Sequence, residues 1–281
     1  MGEMIHRFNA ANSMRVPASN PDVRPAAVAG LFYPGDAGQL EAALTGLLDG
    51  PAPAGRAPKA LIVPHAGYVY SGATAARAYR AVASAAAAIA RVVLLGPSHR
   101  EWFAGLAVPH AQAFATPLGL APVDEAAVAR VAELPSVVLS DAAHAREHSL
   151  EVQLPFLQRL LPNAQIVPVL VGEATAAEVE AVIDALWGGP ETLIVVSSDL
   201  SHYHSYDEAR ALDAATAAAI LESRPELTGA DACGGVVVNG LLRAARRHGL
   251  RARLLDLCNS GDTAGDRARV VGYGAFGFYD A

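Results

Sequence analysis

Three short apolar runs, each followed by turn residues and a histidine, constrain the fold of this chain more than any other feature. Each run is four residues long, rich in aliphatic side chains and bounded by Gly, Pro or Ser, as buried parallel strands are. The runs are residues 60–63 before Pro-His-Ala-Gly, 92–95 before Gly-Pro-Ser-His, and 193–196 before Ser-Ser-Asp-Leu-Ser-His. Helical patterns follow the first and third runs, at 72–90 and 207–222. Alternating strands and helices predict an α/β protein.

Further elements complete this prediction. The pattern indicates a helix at 37–48 and strands at 165–171, 253–257 and 270–279. We expect a three-layer α/β/α fold with a central mixed, largely parallel sheet, forming a single domain over 22–281 after a flexible N-terminal arm over 1–21. Ligands of such sheets bind beyond the carboxyl ends of the strands, so polar side chains placed there are expected to meet.

Charge and cysteine content exclude several classes of protein. A net charge of −7 and a pI of about 5.7 argue against a nucleic-acid-binding or anionic-membrane surface. Two cysteines are too few for the disulfide framework of a small secreted protein. The sequence also lacks an apolar signal core and a run of about 18 apolar residues, so the expected location is the cytoplasm.

His65, His99 and Cys233 are candidate metal ligands. His65 and His99 follow strands directly, and neutral imidazole suits iron, zinc and copper. The alternative is that they are unrelated loop histidines. Cys233 precedes a helical stretch at 236–246, whose N-terminus favours the metal-binding thiolate. A lone cysteine is more usually a small buried apolar residue, and that alternative stays open on spacing alone.

Asp199 and His202 follow the third strand in an Asp-x-x-His turn. His202 is a candidate general base or hydrogen-bond donor, and Asp199 a carboxylate that orients a histidine. The alternative for Asp199 is helix capping.

The segment 144–148, His-Ala-Arg-Glu-His, matches the H-x-x-E-H pattern of one zinc peptidase class. That function requires the segment to be helical and a further acidic ligand downstream, and Pro155 limits the helix that follows. The other prediction is a polar segment at the rim of the site, or a buried network of Glu147, His148 and Glu151.

Several segments resemble one known family, the Memo-like proteins, in the same order along the chain. They are VRPAAVAGLFYP at 23–34, PHAGYVYSG at 64–72, LGPSH at 95–99, TPLG at 116–119, EHSLEVQLPFL at 147–157, SSDLSHY at 197–203, ACG at 232–234 and VGY at 271–273.

The resemblance implies a fold similar to that of the extradiol, non-haem iron dioxygenases. It implies Fe(II), with copper or zinc as alternatives, bound by His65, His99 and Cys233. Asp199 and His202 would lie beside the metal, with His202 in the place of the catalytic histidine. The expected partners are a small molecule or peptide, and radical-SAM and AMMECR1-type proteins that share the family's gene grouping.

Two departures matter. A cysteine stands where the related dioxygenases complete their site with a carboxylate; thiolate is softer and more readily oxidised, which disfavours catechol ring opening. Phe32 replaces a tryptophan of animal relatives. Phe32, Tyr68, Glu147 and His148 are the predicted pocket rim.

The leading hypothesis is therefore a metal-dependent oxidoreductase. The alternatives are a non-catalytic binding or scaffold protein that uses the same pocket, for example for a phosphopeptide-type ligand, and, last, a zinc hydrolase.

Overall fold

The computed structural model describes residues 22–50 and 55–281, so the predicted N-terminal arm lies outside the described residues. The strands within them are β1 Val23–Arg24, β2 Ala60–Val63, β3 Arg91–Pro97, β4 Leu106–Val108, β5 Ala113–Thr116, β6 Gly119–Pro122, β7 Val137–Leu139, β8 Gln165–Val171, β9 Thr192–Ser197, β10 His202–His204, β11 Leu250–Asn259 and β12 Val270–Asp280. The α-helices are α1 Ala37–Leu48, α2 Tyr68–Arg80, α3 Glu125–Ala132, α4 Asp141–Ala145, α5 Leu154–Leu160, α6 Ala176–Ala185, α7 Tyr206–Leu221 and α8 Gly235–Arg247.

The main sheet is mixed with a parallel centre, as predicted. Its strand order is β10-β12-β2-β9-β3-β8-β4-β7, and β11 pairs with β12 off this path. The four strands β2, β9, β3 and β8 run parallel, and each consists almost entirely of buried residues. This burial explains why their sequences are apolar runs rather than alternating patterns. A smaller sheet has the order β1-β5-β6.

Helices cover both faces of the parallel centre. The chain moves one way across the sheet from β2 through α2 to β3, and the opposite way from β8 through α6 to β9. Because such crossovers are right-handed, the two helices lie on opposite faces. Helices α1, α2 and α5 contact one another, while α8 contacts α6 and strands β3 and β9. The result is the predicted three-layer α/β/α architecture.

Helix α2 is shorter than the sequence pattern predicts. The prediction continued it through the alanine-rich stretch to residue 90, whereas it ends at Arg80 and a short 3₁₀ turn covers Ala83–Ala85. Val82 and Ile89 are buried, and the backbone N–H of Ala90 donates to the Glu191 carbonyl at the start of β9. The chain must therefore turn back to place β3 beside β9, and this tertiary requirement overrides the helix propensity of alanine. Within the described ranges, no helix has the length and apolarity needed to cross a membrane.

Candidate metal centre

Three neighbouring parallel strands deliver the predicted site residues to one end of the sheet. His65 follows β2, Asp199 follows β9 and His99 follows β3, and β9 lies between the other two strands. The last residues of β2 and β9, Val63 and Ser197, are register partners. Because the strands are parallel and in register, their carboxyl ends meet at the same edge, where ligands of α/β sheets bind.

Hydrogen bonds fix the tautomer of His65. The Ser197 hydroxyl donates its proton to the Ser149 carbonyl at 2.6 Å and accepts an N–H of Gln153 at 2.9 Å. Nδ1 of His65 lies 2.9 Å from the same hydroxyl oxygen, so Nδ1 must be the protonated nitrogen. Burial, followed by the charges of His99 and His148, holds the pKa of His65 well below its usual range. His65 is therefore neutral, with an unprotonated Nε2.

His99 is held by a buried carboxylate. Its backbone N–H donates to Oε2 of Glu147 at 2.5 Å, and its Nδ1 lies 3.0 Å from Oε1 of the same residue. Burial lowers the pKa of His99, but hydrogen bonds to Cys233 and Glu147 outweigh it and raise the pKa to about 10. A metal ion that binds this ring must displace its proton. A carboxylate behind a ligand histidine orients the ring and increases its basicity.

His148 joins His65 and His99 in a group that can hold a metal ion. Each of the three rings offers one nitrogen as a ligand atom, and these three nitrogens all lie within 4.8 Å of one another. The ring centroids are 5.2 Å apart for His65 and His99, 5.4 Å for His65 and His148, and 4.8 Å for His99 and His148. The sequence predicted His148 only at the rim of the pocket, whereas its ring is one of three at the centre.

Cys233 lies against the same rings. Its Sγ is 3.3 Å from Nε2 of His65 and accepts the backbone N–H of Asp199 at 3.3 Å. The residue stands two positions before α8, at the point where the chain passes close to the turn after β9. A Cβ on Gly234 would lie 2.8 Å from the Ser198 side chain, so only glycine permits this approach. The N–H of Gly234 donates to the Ser198 hydroxyl at 2.9 Å, which fixes the contact.

Asp199 and His202 lie beside this cluster. The Asp199 carboxylate accepts the backbone N–H of His65 at 2.7 Å, and burial raises the pKa of this carboxyl. Nδ1 of His202 lies 2.7 Å from the Leu200 carbonyl, which can only accept, so Nδ1 carries a proton. His202 lies close enough to Asp199 and His65 to influence the pKa of both.

Two predicted rim residues have different surroundings. Phe32 is half-buried, and its ring centroid is 4.7 Å from that of His148. Tyr68 is buried, donates its hydroxyl to the Val152 carbonyl at 3.0 Å and contacts Phe156. The hydroxyl of Tyr68 is thus engaged in the core, while Phe32 flanks the imidazole group.

The H-x-x-E-H segment does not form a peptidase site. Helix α4 ends at Ala145, so His144 and His148 do not share a helix face. Nε2 of His144 lies 3.1 Å from the Ala107 carbonyl, and this buried ring packs against Phe114. The structure therefore offers no support for the zinc hydrolase hypothesis.

Arg24 and Glu151 hold the H-x-x-E-H segment in place through buried hydrogen bonds. Their side chains form a buried ion pair, and Arg24 also donates to the backbone carbonyls of His144 and Glu147. Glu151 further accepts two backbone N–H groups and the Tyr33 hydroxyl. The Glu151 carboxylate thus bonds to Arg24 and Tyr33, whereas that of Glu147 lies 3.0 Å from Nδ1 of His99 and 3.1 Å from Nδ1 of His148.

The fold and the cluster define an α/β protein whose imidazole rings gather at the carboxyl edge of a mixed sheet. Its sequence is 38% identical to a MEMO1 family protein of Aquifex aeolicus over 89% of this chain and 97% of the relative. It is 36% identical to a MEMO1 family protein of Ignicoccus hospitalis over 91% of this chain and 98% of the relative.

The model of the Memo-like protein family matches residues 24–276, and the chain belongs to this family. The structure also resembles that of an uncharacterized protein, JW3007, from Escherichia coli K12. The TM-score is 0.50 at 17% identity, and the match covers 79% of this chain and 99% of that one. At this identity the likeness concerns the fold alone.

Proposed function

We propose that this Memo-like protein is a metal-dependent oxidoreductase that holds a non-haem iron ion through His65, His99 and Cys233. The observation that carries the proposal is the 3.3 Å separation between Sγ of Cys233 and the unprotonated Nε2 of His65. A sulfur about 2.3 Å and a nitrogen about 2.0 Å from one metal ion lie roughly 3.3–3.5 Å apart when the angle between the two bonds is tetrahedral or slightly smaller. This pair is thus already spaced for a shared ion.

The surroundings of the rings favour metal binding over a purely structural role. His65 presents a lone pair into the cluster because Ser197 fixes its tautomer, and Glu147 stands behind His99. Histidine ligands in proteins almost always donate their second ring nitrogen to such an acceptor. Packing alone would not require Nδ1 of both His65 and His99 to be held by a hydrogen-bond acceptor.

The oxidoreductase function rests on the ligand set and on His202. An iron ion held by His65, His99 and Cys233 would supply one-electron redox chemistry. When its ring is neutral, His202 can take a proton from a substrate at Nε2, while Asp199 accepts the backbone N–H of His65. The Cys233 thiolate is a softer ligand than the oxygen and nitrogen atoms that complete other non-haem iron sites. A site with this ligand also suits copper and zinc.

Metal analysis of anaerobically purified protein tests the proposal. We expect about one metal ion per chain, predominantly iron, and loss of that ion in His65→Ala. His110→Ala is the matched control, since His110 is exposed and pairs only with Asp141. Full retention of metal in His65→Ala would contradict the proposed site. Oxygen uptake with added reductant then separates an oxidoreductase from a protein that only binds a ligand in this pocket.

The thiolate has its own test, because His148 offers an alternative third ligand. Cobalt(II) substitution should give a thiolate-to-metal charge-transfer absorption that disappears in Cys233→Ser and persists in His148→Ala. The reverse pattern, with metal lost in His148→Ala and kept in Cys233→Ser, would assign the ion to the three imidazoles.

A further inference from the structure

Tyr203 has a backbone conformation that its side chain does not favour. Among the described residues, only Tyr203 (φ 64°) and Ser223 (φ 56°) are non-glycine residues with positive φ. For a bulky side chain this left-handed conformation is a genuine outlier, whereas glycine adopts it freely. Ser223 follows the end of α7, where such a conformation is common, but Tyr203 lies within β10, between two histidines.

The conformation produces a bulge next to His202. In the pairing of β10 with β12, His202 is opposite Val271 and His204 is opposite Val270. One step along β12 thus corresponds to two steps along β10, and Tyr203 is the extra residue. Bulges redirect neighbouring side chains and are common beside active sites. Here the residue directly before the bulge is His202.

The ring of Tyr203 contributes little burial that could offset the strain. The residue is 51% exposed, and its ring makes an edge-to-face contact with His202 at a centroid distance of 5.7 Å. The guanidinium of Arg269 lies 5.0 Å from the centroid of the same ring. The ring therefore contacts both Arg269 and the imidazole whose Nδ1 donates to the Leu200 carbonyl. Strained residues of this kind cluster at functional sites, where the surrounding structure holds them.

We propose that Tyr203 is a positioning residue for His202. Its left-handed backbone sets the direction of the imidazole, and its ring, in contact with Arg269, keeps Nδ1 on the Leu200 carbonyl. This inference rests on the proposed function only for the role of His202 in proton transfer.

Nuclear magnetic resonance of the full chain, labelled with ¹⁵N-histidine and loaded with zinc(II) as a diamagnetic probe, tests the proposal. In Tyr203→Gly we expect solvent exchange of the His202 Nδ1 proton to become roughly tenfold faster, since a hydrogen bond of ordinary strength is loosened. We also expect a mixture of tautomers. The resistance of the fold to urea should stay equal or increase, because glycine relieves the backbone strain.

Three variants complete the design. Tyr203→Phe keeps the ring and the backbone and should leave His202 as in the parent. Ser223→Gly relieves the other left-handed residue and should not change the His202 signals. Tyr203→Asn, which tolerates this conformation, serves if the glycine variant does not fold.

Unchanged exchange and tautomer of His202 in Tyr203→Gly or Tyr203→Asn would overturn the proposal. A loss of stability with those signals unchanged would assign Tyr203 a structural role and overturn it equally. Metal content, measured on the same samples, separates this outcome from a failure of the proposed function. Absence of metal binding in the parent would refute the metal centre while leaving the His202 measurement interpretable on the metal-free chain.

Discussion

The segment from His144 to Glu151 contains two pairs of ionisable residues with different surroundings. The outer pair, His144 and Glu151, contacts the core and the N-terminal strand: His144 bonds to the Ala107 carbonyl and Glu151 to Arg24. The inner pair, Glu147 and His148, faces the candidate metal centre. Glu147 accepts the backbone N–H groups of His148 and Ser149 as well as that of His99.

The difference lies in which groups neutralise the buried charge. The carboxylate of Glu151 has a guanidinium as its counter-charge, so this pair is complete within the core. The imidazoles of His148 and His99 hold the pKa of Glu147 well below its usual range in spite of burial. Glu147 is thus tied to rings that can bind a metal ion, and Glu151 to the fold. We therefore expect substitutions to separate stability from metal affinity.

The largest expected effect is on stability, at the outer pair. Glu151→Gln leaves the guanidinium of Arg24 buried without its counter-charge, which typically costs about 3–5 kcal/mol of unfolding free energy. Urea denaturation of parent and variant measures this loss. The metal content per folded chain should stay at the parent value, because the Glu151 carboxylate bonds to Arg24, Tyr33 and two backbone N–H groups rather than to a candidate ligand.

Glu222→Gln is the control for this substitution. Glu222 pairs with Arg224 at 2.8 Å, but its side chain is 64% exposed. Loss of an exposed ion pair changes stability by about 1 kcal/mol at most. If Glu151→Gln were as mild as Glu222→Gln, the outer pair would not have the structural role assigned to it.

The next effect is on metal affinity, at the inner pair. Glu147→Gln keeps the shape of the side chain and removes the charge behind His99. Loss of such a supporting carboxylate typically weakens metal binding about 10–100-fold. Titration of zinc(II) against a competing chelator measures this change. Unaltered affinity together with a large loss of stability would make Glu147 equivalent to Glu151 and remove the distinction between the pairs.

Much of the fold could be predicted because local signals agreed with tertiary structure. The helix at 37–48 and the strands at 60–63 and 165–171 are observed with those bounds. The capping box of α6, formed by Thr175 and Glu178, is a further local signal that marks the start of this helix in the sequence. The position of β9 between β2 and β3 could not be predicted, since it depends on pairing between distant segments.

Less of the candidate site than of the fold could be predicted from the sequence. His65 and His99 could be identified as residues that follow strands, but Cys233 became a good candidate only through the family resemblance. The sequence placed His148 at the rim of the predicted pocket, whereas its ring lies beside those of His65 and His99. The H-x-x-E-H pattern is typical of a helix, and α4 ends before Glu147. The path of this segment depends on Arg24, which is 120 residues from His144 in sequence. No pattern within the segment itself carries that information.

The smallest expected effect concerns the pH dependence of stability, again at the outer pair. Burial lowers the pKa of His144 from 6.5 to about 4, so the unfolded chain takes up the proton first as the pH falls. The stability from keeping this ring neutral is present above about pH 6.5 and is lost progressively towards pH 4. Between pH 7 and pH 5, linkage gives a loss of about 2 kcal/mol from this residue.

His144→Gln tests this effect, because glutamine can still donate to the Ala107 carbonyl but does not titrate. The variant should lose about 2 kcal/mol less unfolding free energy than the parent between pH 7 and pH 5, as measured by urea denaturation at both values. Contributions from the other histidines are common to both proteins and cancel in the comparison. His110→Gln, at an exposed position, should keep the pH dependence of the parent. If His144→Gln also kept the pH dependence of the parent, the pKa of His144 would not be lowered by burial. The His144 ring would then be protonated in the folded protein at pH 5, and the description of this residue as a neutral buried histidine would be wrong.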